Sequence, residues 1–149
     1  MKKREYDQWR SILWSESDVL VLARTIYGEA RGEDEETKIA VANVVMNRAN
    51  DPKWWGKTVK EVCLARKQFS CFNFEDPNFV ELVNVTIKNK VFQECFGIAY
   101  SVMKKLLTDN TNGATHYHNK DIDTLWDDKM SMALELNNLL FYNEKSLKI

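Results

Sequence analysis

The chain has 149 residues, 44% of them hydrophobic, and a formal net charge of −1 at pH 7. That length suits one domain with a usable core, and the near-neutral balance with scattered basic residues disfavours nucleic acid or an anionic membrane as partner. Three cysteines at irregular spacing, Cys63, Cys71 and Cys95, make no disulfide framework. They fit small buried apolar side chains, or one bridge with a spare thiol.

The N-terminus begins with Lys2-Lys3-Arg4, but Tyr6-Asp7-Gln8-Trp9-Arg10 breaks any leader core, so no signal peptide is expected. No segment has the apolar length to span a membrane. Tyr6, Trp9, Ile12 and Leu13 are spaced for a short amphipathic helix, so residues 1–16 read as a helical extension packed on the domain surface.

Ser15-Glu16-Ser17-Asp18 is a helix start, and the helix is predicted to run to about Arg31. Val19, Leu22 and Ile26 form its apolar stripe. Glu29 continues that stripe, seven residues after Leu22 and so roughly 20° from it around the axis. Burying a charged carboxyl is costly, so a carboxyl on the stripe favours its proton, as a general acid for glycosidic cleavage requires. The plainer alternative is an ion pair with Arg24, Arg31 or Arg48. Gly28, inside the helix, costs roughly 1 kcal/mol against Ala, which a closely approaching neighbour would rationalise.

Glu33-Asp34-Glu35-Glu36 favours the dipole of a second helix, about Glu35 to Ala49. Glu33 would lie one turn beyond Glu29 if the first helix continued, which makes it the candidate second carboxylate. Trp54 and Trp55 follow a turn and suit either a sugar cleft or the core. Thr58 with Glu61 reads as a capping box for a short helix to about Arg66. In the loop after it, Gln68 and Ser70 offer hydrogen bonds to sugar hydroxyls or N-acetyl groups, while Phe69 and Phe72 could anchor a plain surface loop. Helices are then predicted from about Asn78 to Lys88 and from Val91 to Leu107, both scaffold.

Ala114 to Asn119 has strand composition, with His116 and His118 on one side and Tyr117 on the other. The histidines lack the supporting spacing of a metal site, so no metal is expected. Trp126 follows in a polar loop and could stack on a sugar or cap the core edge. Ala133–Leu136 and Leu139–Tyr142 flank Asn137-Asn138 as a two-residue hairpin.

Several of these strings together resemble the SleB/CwlJ-type cell-wall hydrolases, the spore-cortex-lytic enzymes and their bacterial and phage relatives. They are Tyr27-Gly28-Glu29-Ala30-Arg31-Gly32-Glu33, Ala40-Val41-Ala42-Asn43-Val44-Val45-Met46-Asn47-Arg48, Gln68-Phe69-Ser70, Gly113 through Asn119, Trp126 and Phe141-Tyr142. The resemblance covers about Ser17 to Tyr142. It implies a lysozyme-like, lytic-transglycosylase-like fold for a domain over 17–143, and residues 144–149 read as a loose tail. That fold is α+β, predominantly helical, with a small antiparallel β element and a cleft between the two parts.

The family's catalytic glutamate falls on Glu29, and the resemblance places Tyr117, His118 and Asn119 along the substrate groove, with His116 beside them. Relatives carry Gly and His before the closing aromatic pair. This chain has Asn137-Asn138-Leu139-Leu140 there, so any role of that histidine is absent or moved.

The expected activity is cleavage of peptidoglycan glycan strands between N-acetylmuramic acid and N-acetylglucosamine, without metal or organic cofactor, by a monomer. Glu29 acting alone gives a lytic transglycosylase with 1,6-anhydro products, and a second carboxylate such as Glu33 gives hydrolysis. Without a leader, a phage lysis route or virion packaging would bring it to the wall. A metal-dependent amidase using the histidines and a non-catalytic glycan-binding module are the competing readings.

Overall fold

The computed structural model of the chain describes residues 1–121 and 130–144, and Trp126 lies outside them. The first helix, α1 (Lys3–Ser15), lies mostly on the surface, with Leu13 inserted into the core. It is tied to the body by the Tyr6 hydroxyl, which donates to the Phe72 carbonyl (2.6 Å), and by Arg10, which donates to the Leu64 carbonyl (2.6 Å).

Helix α2 (Asp18–Ala30) is the axis of the domain. The Ser17 side chain accepts from the Leu20 N–H at its start, satisfying one of the free donors there. Val21, Leu22, Ala23 and Ile26 are fully buried, and Val19 is half-buried at the edge of the stripe. Helices α3 (Glu35–Asn50), α4 (Val59–Leu64), α5 (Asn78–Asn84) and α6 (Lys90–Met103) pack around it. Asp34 caps α3 by accepting from the Thr37 N–H, and Thr58 with Glu61 forms the full capping box of α4. Asn89 caps α6, whose buried face is Phe92, Cys95, Ile98, Ala99 and Val102.

Two helices are shorter than their periodicity predicts. Helix α5 stops at Asn84, where the β-branched run Val85-Thr86-Ile87 begins in extended backbone. Helix α6 stops at Met103, and Lys105 takes a left-handed φ of 58° just beyond it. Leu106, in register with the helix in sequence, is thereby turned outward and is 67% exposed.

Strands β1 (His116–Asn119), β2 (Met130–Leu136) and β3 (Leu139–Glu144) form an antiparallel sheet in the order β1-β3-β2. The β2–β3 hairpin turns at Asn137-Asn138, with Asn137 at φ 52° and a bulge between Met132 and Leu134. The sheet rests on α3 through a small second core of Ala40, Val44, Ala114 and Phe141. The hairpin tip is pinned to the start of α3 by the Asn137 amide, which donates to Thr37 Oγ1 (2.8 Å). All three cysteines are free and buried, so no bridge forms.

Candidate active site

Glu29 ends the buried stripe of α2 and is itself half-buried, at the seam between the helices and the sheet. One carboxylate oxygen accepts from the Tyr117 hydroxyl of β1 at 2.5 Å. The other accepts from the Cys71 backbone N–H at 3.3 Å. Cys71 sits in the 3-10 turn Ser70–Phe72. The seam is the junction that the sequence reading places at the cleft, and β1 reaches it because antiparallel pairing with β3 fixes its register, Tyr117 opposite Phe141.

Gly28 is what lets the turn come so close. A Cβ at that position would lie 2.8 Å from both Cβ and Sγ of Cys71 and 2.7 Å from Leu82 Cδ2. The neighbour implied by a glycine inside a helix is therefore the 70–72 turn together with α5.

The ion-pair alternative for Glu29 does not hold among the described residues. Arg24 is bound to Glu16 (2.8 Å) and to the Leu82 carbonyl. Arg31 stands over the Tyr27 ring. Arg48 donates through Nε to the Thr115 carbonyl (2.7 Å) and reaches Gln68 Oε1 at 3.5 Å. Burial lowers the Arg48 guanidinium below its ordinary value, while the nearby Tyr117 works the other way. It remains a cation at neutral pH, held among the rings of Trp54, Trp55 and Phe69.

The Tyr117 hydroxyl is pushed well above its usual range, first by burial and then by the charge of Glu29. It stays protonated and acts as a donor. Burial and Glu29 do the same to the Cys71 thiol. The carboxyl thus faces a hydroxyl, a thiol and a backbone amide.

The remaining residues named from the sequence divide. Gln68 is half-buried against Arg48, and Ser70 is exposed at the start of the 3-10 turn. Asn119 is half-buried, and its side-chain oxygen accepts from the Asp121 N–H (3.0 Å). Glu33 is not one turn beyond Glu29, because α2 ends at Ala30. Glu33 lies in the following turn, where its N–H donates to the Ala30 carbonyl (2.9 Å).

Strand alternation sends His116 and His118 to the face opposite Tyr117, so they do not share the Glu29 side of the sheet, and both are buried. His116 Nδ1 is 2.9 Å from Thr115 Oγ1, and its ring lies beside Trp54 and Trp55. His118 Nδ1 donates to the Asn119 carbonyl (2.7 Å). Nε2 of the neutral ring can then accept from the Tyr142 hydroxyl (3.2 Å), on whose ring His118 is stacked. Among the described residues no group of three His, Cys, Asp or Glu side chains converges as metal ligands. Sequence reasoning missed both partners of Glu29: Tyr117 was read as a substrate contact, and the Cys71 N–H was not named, although Gly28 was an available signal for it.

Fold and site together define a lysozyme-like α+β domain with the Glu29 carboxyl at the helix–sheet seam. Residues 32–142 match the cell wall hydrolase family model, and the chain belongs to that family. The match begins just beyond Glu29. The spore cortex-lytic enzyme of Halalkalibacterium halodurans is 30% identical over 111 residues, covering 74% of this chain and 30% of the relative. That of Bacillus subtilis is 49% identical over 39 residues, covering 26% of this chain and 13% of the relative. The chain thus spans less than a third of the length of these relatives.

Two solved structures share the fold. The catalytic domain of SleB from Bacillus cereus aligns with a TM-score of 0.63 at 22% identity, over 85% of this chain and 89% of that one. The catalytic domain of the germination-specific lytic transglycosylase SleB from Bacillus anthracis aligns with a TM-score of 0.65 at 23% identity, over 85% and 93%.

Proposed function

We propose that this domain cleaves the glycan strand of peptidoglycan between N-acetylmuramic acid and N-acetylglucosamine, as a lytic transglycosylase with Glu29 as its acid and base. The observation that carries this reading is the setting of Glu29. It stands at the seam with its two oxygens taken by a hydroxyl and an amide rather than by a cation. Lytic transglycosylase is also the activity named for the Bacillus anthracis structure that shares the fold.

The chemistry follows from that setting. Oε1 accepts from Tyr117, so the transferable proton belongs on Oε2, whose second lone pair takes the longer bond from Cys71. Glu29 gives this proton to the glycosidic oxygen as the bond from C1 breaks, leaving an oxocarbenium-like centre. The ionised carboxylate then removes the proton of the muramic acid 6-hydroxyl as O6 bonds to C1. The products are a 1,6-anhydro end and a free 4-hydroxyl, and Glu29 recovers its proton. In the intermediate charged state the Tyr117 hydroxyl supplies a charge-assisted hydrogen bond. Hydrolysis would need a second carboxylate roughly 5–9.5 Å from the first, and Glu33 has left the helix that would have aligned it with Glu29. The substrate lies outside the cytoplasm, so the reading calls for delivery to the wall.

The test is mass spectrometry of soluble muropeptides released from purified sacculi by wild type and Glu29→Gln. Anhydro-muramic products from wild type, lost in the variant, support the proposal. Reducing-end sugars mean a hydrolase, and free stem peptides an amidase. No release by folded wild type across several wall types means a binding module. Each of these three overturns the proposal.

A further inference from the structure

We propose that Trp54, at the outer end of the Arg48–Phe69–Tyr117 cluster, is a glycan-stacking subsite, holding a pyranose of the strand away from the bond that is cut. This rests on the glycan-strand reading above and assigns one surface of the site to substrate.

Two adjacent tryptophans have opposite fates here. Trp55 is 1% exposed and its indole N–H donates to the Arg48 carbonyl (2.8 Å), which makes it core. Trp54 is 65% exposed. The two stand in the tight turn Lys53–Gly56, closed by the Gly56 N–H donating to the Lys53 carbonyl (3.2 Å). Gly56 has φ 121°, and a Cβ there would lie 2.8 Å from Glu61 Cβ, so the turn is set against α4. With Trp55 anchored inside, the turn leaves Trp54 on the outside.

A single exposed apolar side chain is ordinary. What distinguishes Trp54 is its company. Its ring meets Trp55 edge-on at 5.2 Å and lies 6.5 Å from the His116 ring. The Arg48 guanidinium stands over it at 5.8 Å. That same guanidinium lies 5.5 Å from the Phe69 ring and reaches Gln68. Phe69 in turn is 6.4 Å from the Tyr117 ring, whose hydroxyl holds Glu29. Arg48 and Phe69, both buried, therefore link Trp54 to the Tyr117–Glu29 pair from beneath the surface.

A broad indole is suited to the apolar C–H face of a pyranose, and with only two χ angles it loses little conformational freedom on binding. A polysaccharide is the substrate that can use such a platform, because it offers successive rings along one strand.

The experiment measures binding of the full chain to purified sacculi and to an N-acetylglucosamine hexamer. Glu29→Gln and Glu29→Gln/Trp54→Ala are compared, with turnover of sacculi measured for wild type, Trp54→Ala and Trp54→Tyr. Removing the indole is expected to weaken binding about 5- to 10-fold. In the active background KM should rise more than kcat falls, and Tyr should restore most of the loss. Trp54 is exposed, so its variants should fold as wild type does, and matched thermal melts check this. Equal binding and equal KM for Trp54→Ala overturn the subsite while leaving the reaction standing if wild type still cleaves. Absence of any binding by Glu29→Gln also overturns it. If wild type releases nothing but binding still depends on Trp54, the subsite stands and the reaction falls.

Discussion

The Tyr117 hydroxyl meets Glu29 Oε1 at 2.5 Å across 88 positions of sequence. This bond joins β1 to α2 and aligns the carboxyl. Tyr117→Phe keeps the ring, which packs 5.4 Å from Phe141, and removes only the donor. A hydrogen bond to a charged group contributes about 1.5–3 kcal/mol, so turnover of sacculi should fall about 10- to 100-fold. Thermal unfolding should move little. Unchanged kcat in a folded variant would dismiss Tyr117 as a partner in the reaction.

Gly28→Ala should be far more costly than alanine usually is in a helix. Its Cβ would sit at 2.7–2.8 Å from Leu82 and Cys71, so α5 or the 70–72 turn must shift. Overpacking of this kind costs about 1–3 kcal/mol, against the roughly 1 kcal/mol that alanine normally gains over glycine in a helix. Urea denaturation should show net destabilisation, with activity reduced because the Cys71 N–H moves with the turn. A stabilised, active variant would refute the close-approach account.

The buried thiols make stability fall at alkaline pH. Burial pushes Cys63 and Cys95 from the usual 9.0 up to about 12 in the folded protein. Between those values the unfolded chain releases these protons and the folded chain keeps them, so ionisation favours unfolding. Their contribution is intact below pH 9 and is lost progressively toward pH 12. Urea midpoints should decline as pH rises above 9, and Cys63→Ala should flatten part of that slope. Native protein should also resist thiol-alkylating reagents that label it in denaturant. Rapid native labelling of all three cysteines would contradict their burial.

The hairpin turn separates two effects at one position. Asn137→Gly retains the left-handed backbone and loses the side-chain bond to Thr37 together with the contact to Asp34, costing about 1 kcal/mol. Asn137→Ala loses that bond and strains the turn by roughly 1–2 kcal/mol more. Chemical denaturation should rank wild type above Gly and Gly above Ala. Equal stability of the two variants would mean the φ value carries no cost.

Features governed by neighbours along the chain were legible in advance. Ser17 and Thr58 with Glu61 start helices because their side chains serve backbone donors two or three residues away. Asn137-Asn138 makes its hairpin because asparagine tolerates the left-handed region. The stripe Leu22, Ile26, Glu29 followed from helical geometry, and with the later motifs it pointed to the family. The over-long readings of α5 and α6 show the limit of periodicity: Leu106 has the right spacing, but a left-handed Lys105 intervenes.

The sequence by itself determined the caps, the hairpin, the helical content and the identity of the acidic residue on the apolar stripe. Only the tertiary structure decided that this residue faces Tyr117 and Cys71 rather than an arginine, and that Glu33 falls off the helix. It likewise turned His116 and His118 away from Glu29 and left Trp54 outside while Trp55 went in. Periodicity assigns residues to a common face but carries no information about what covers that face. The cover comes from segments 42 to 88 positions away, and which of them arrives is settled by the joint packing of all the elements.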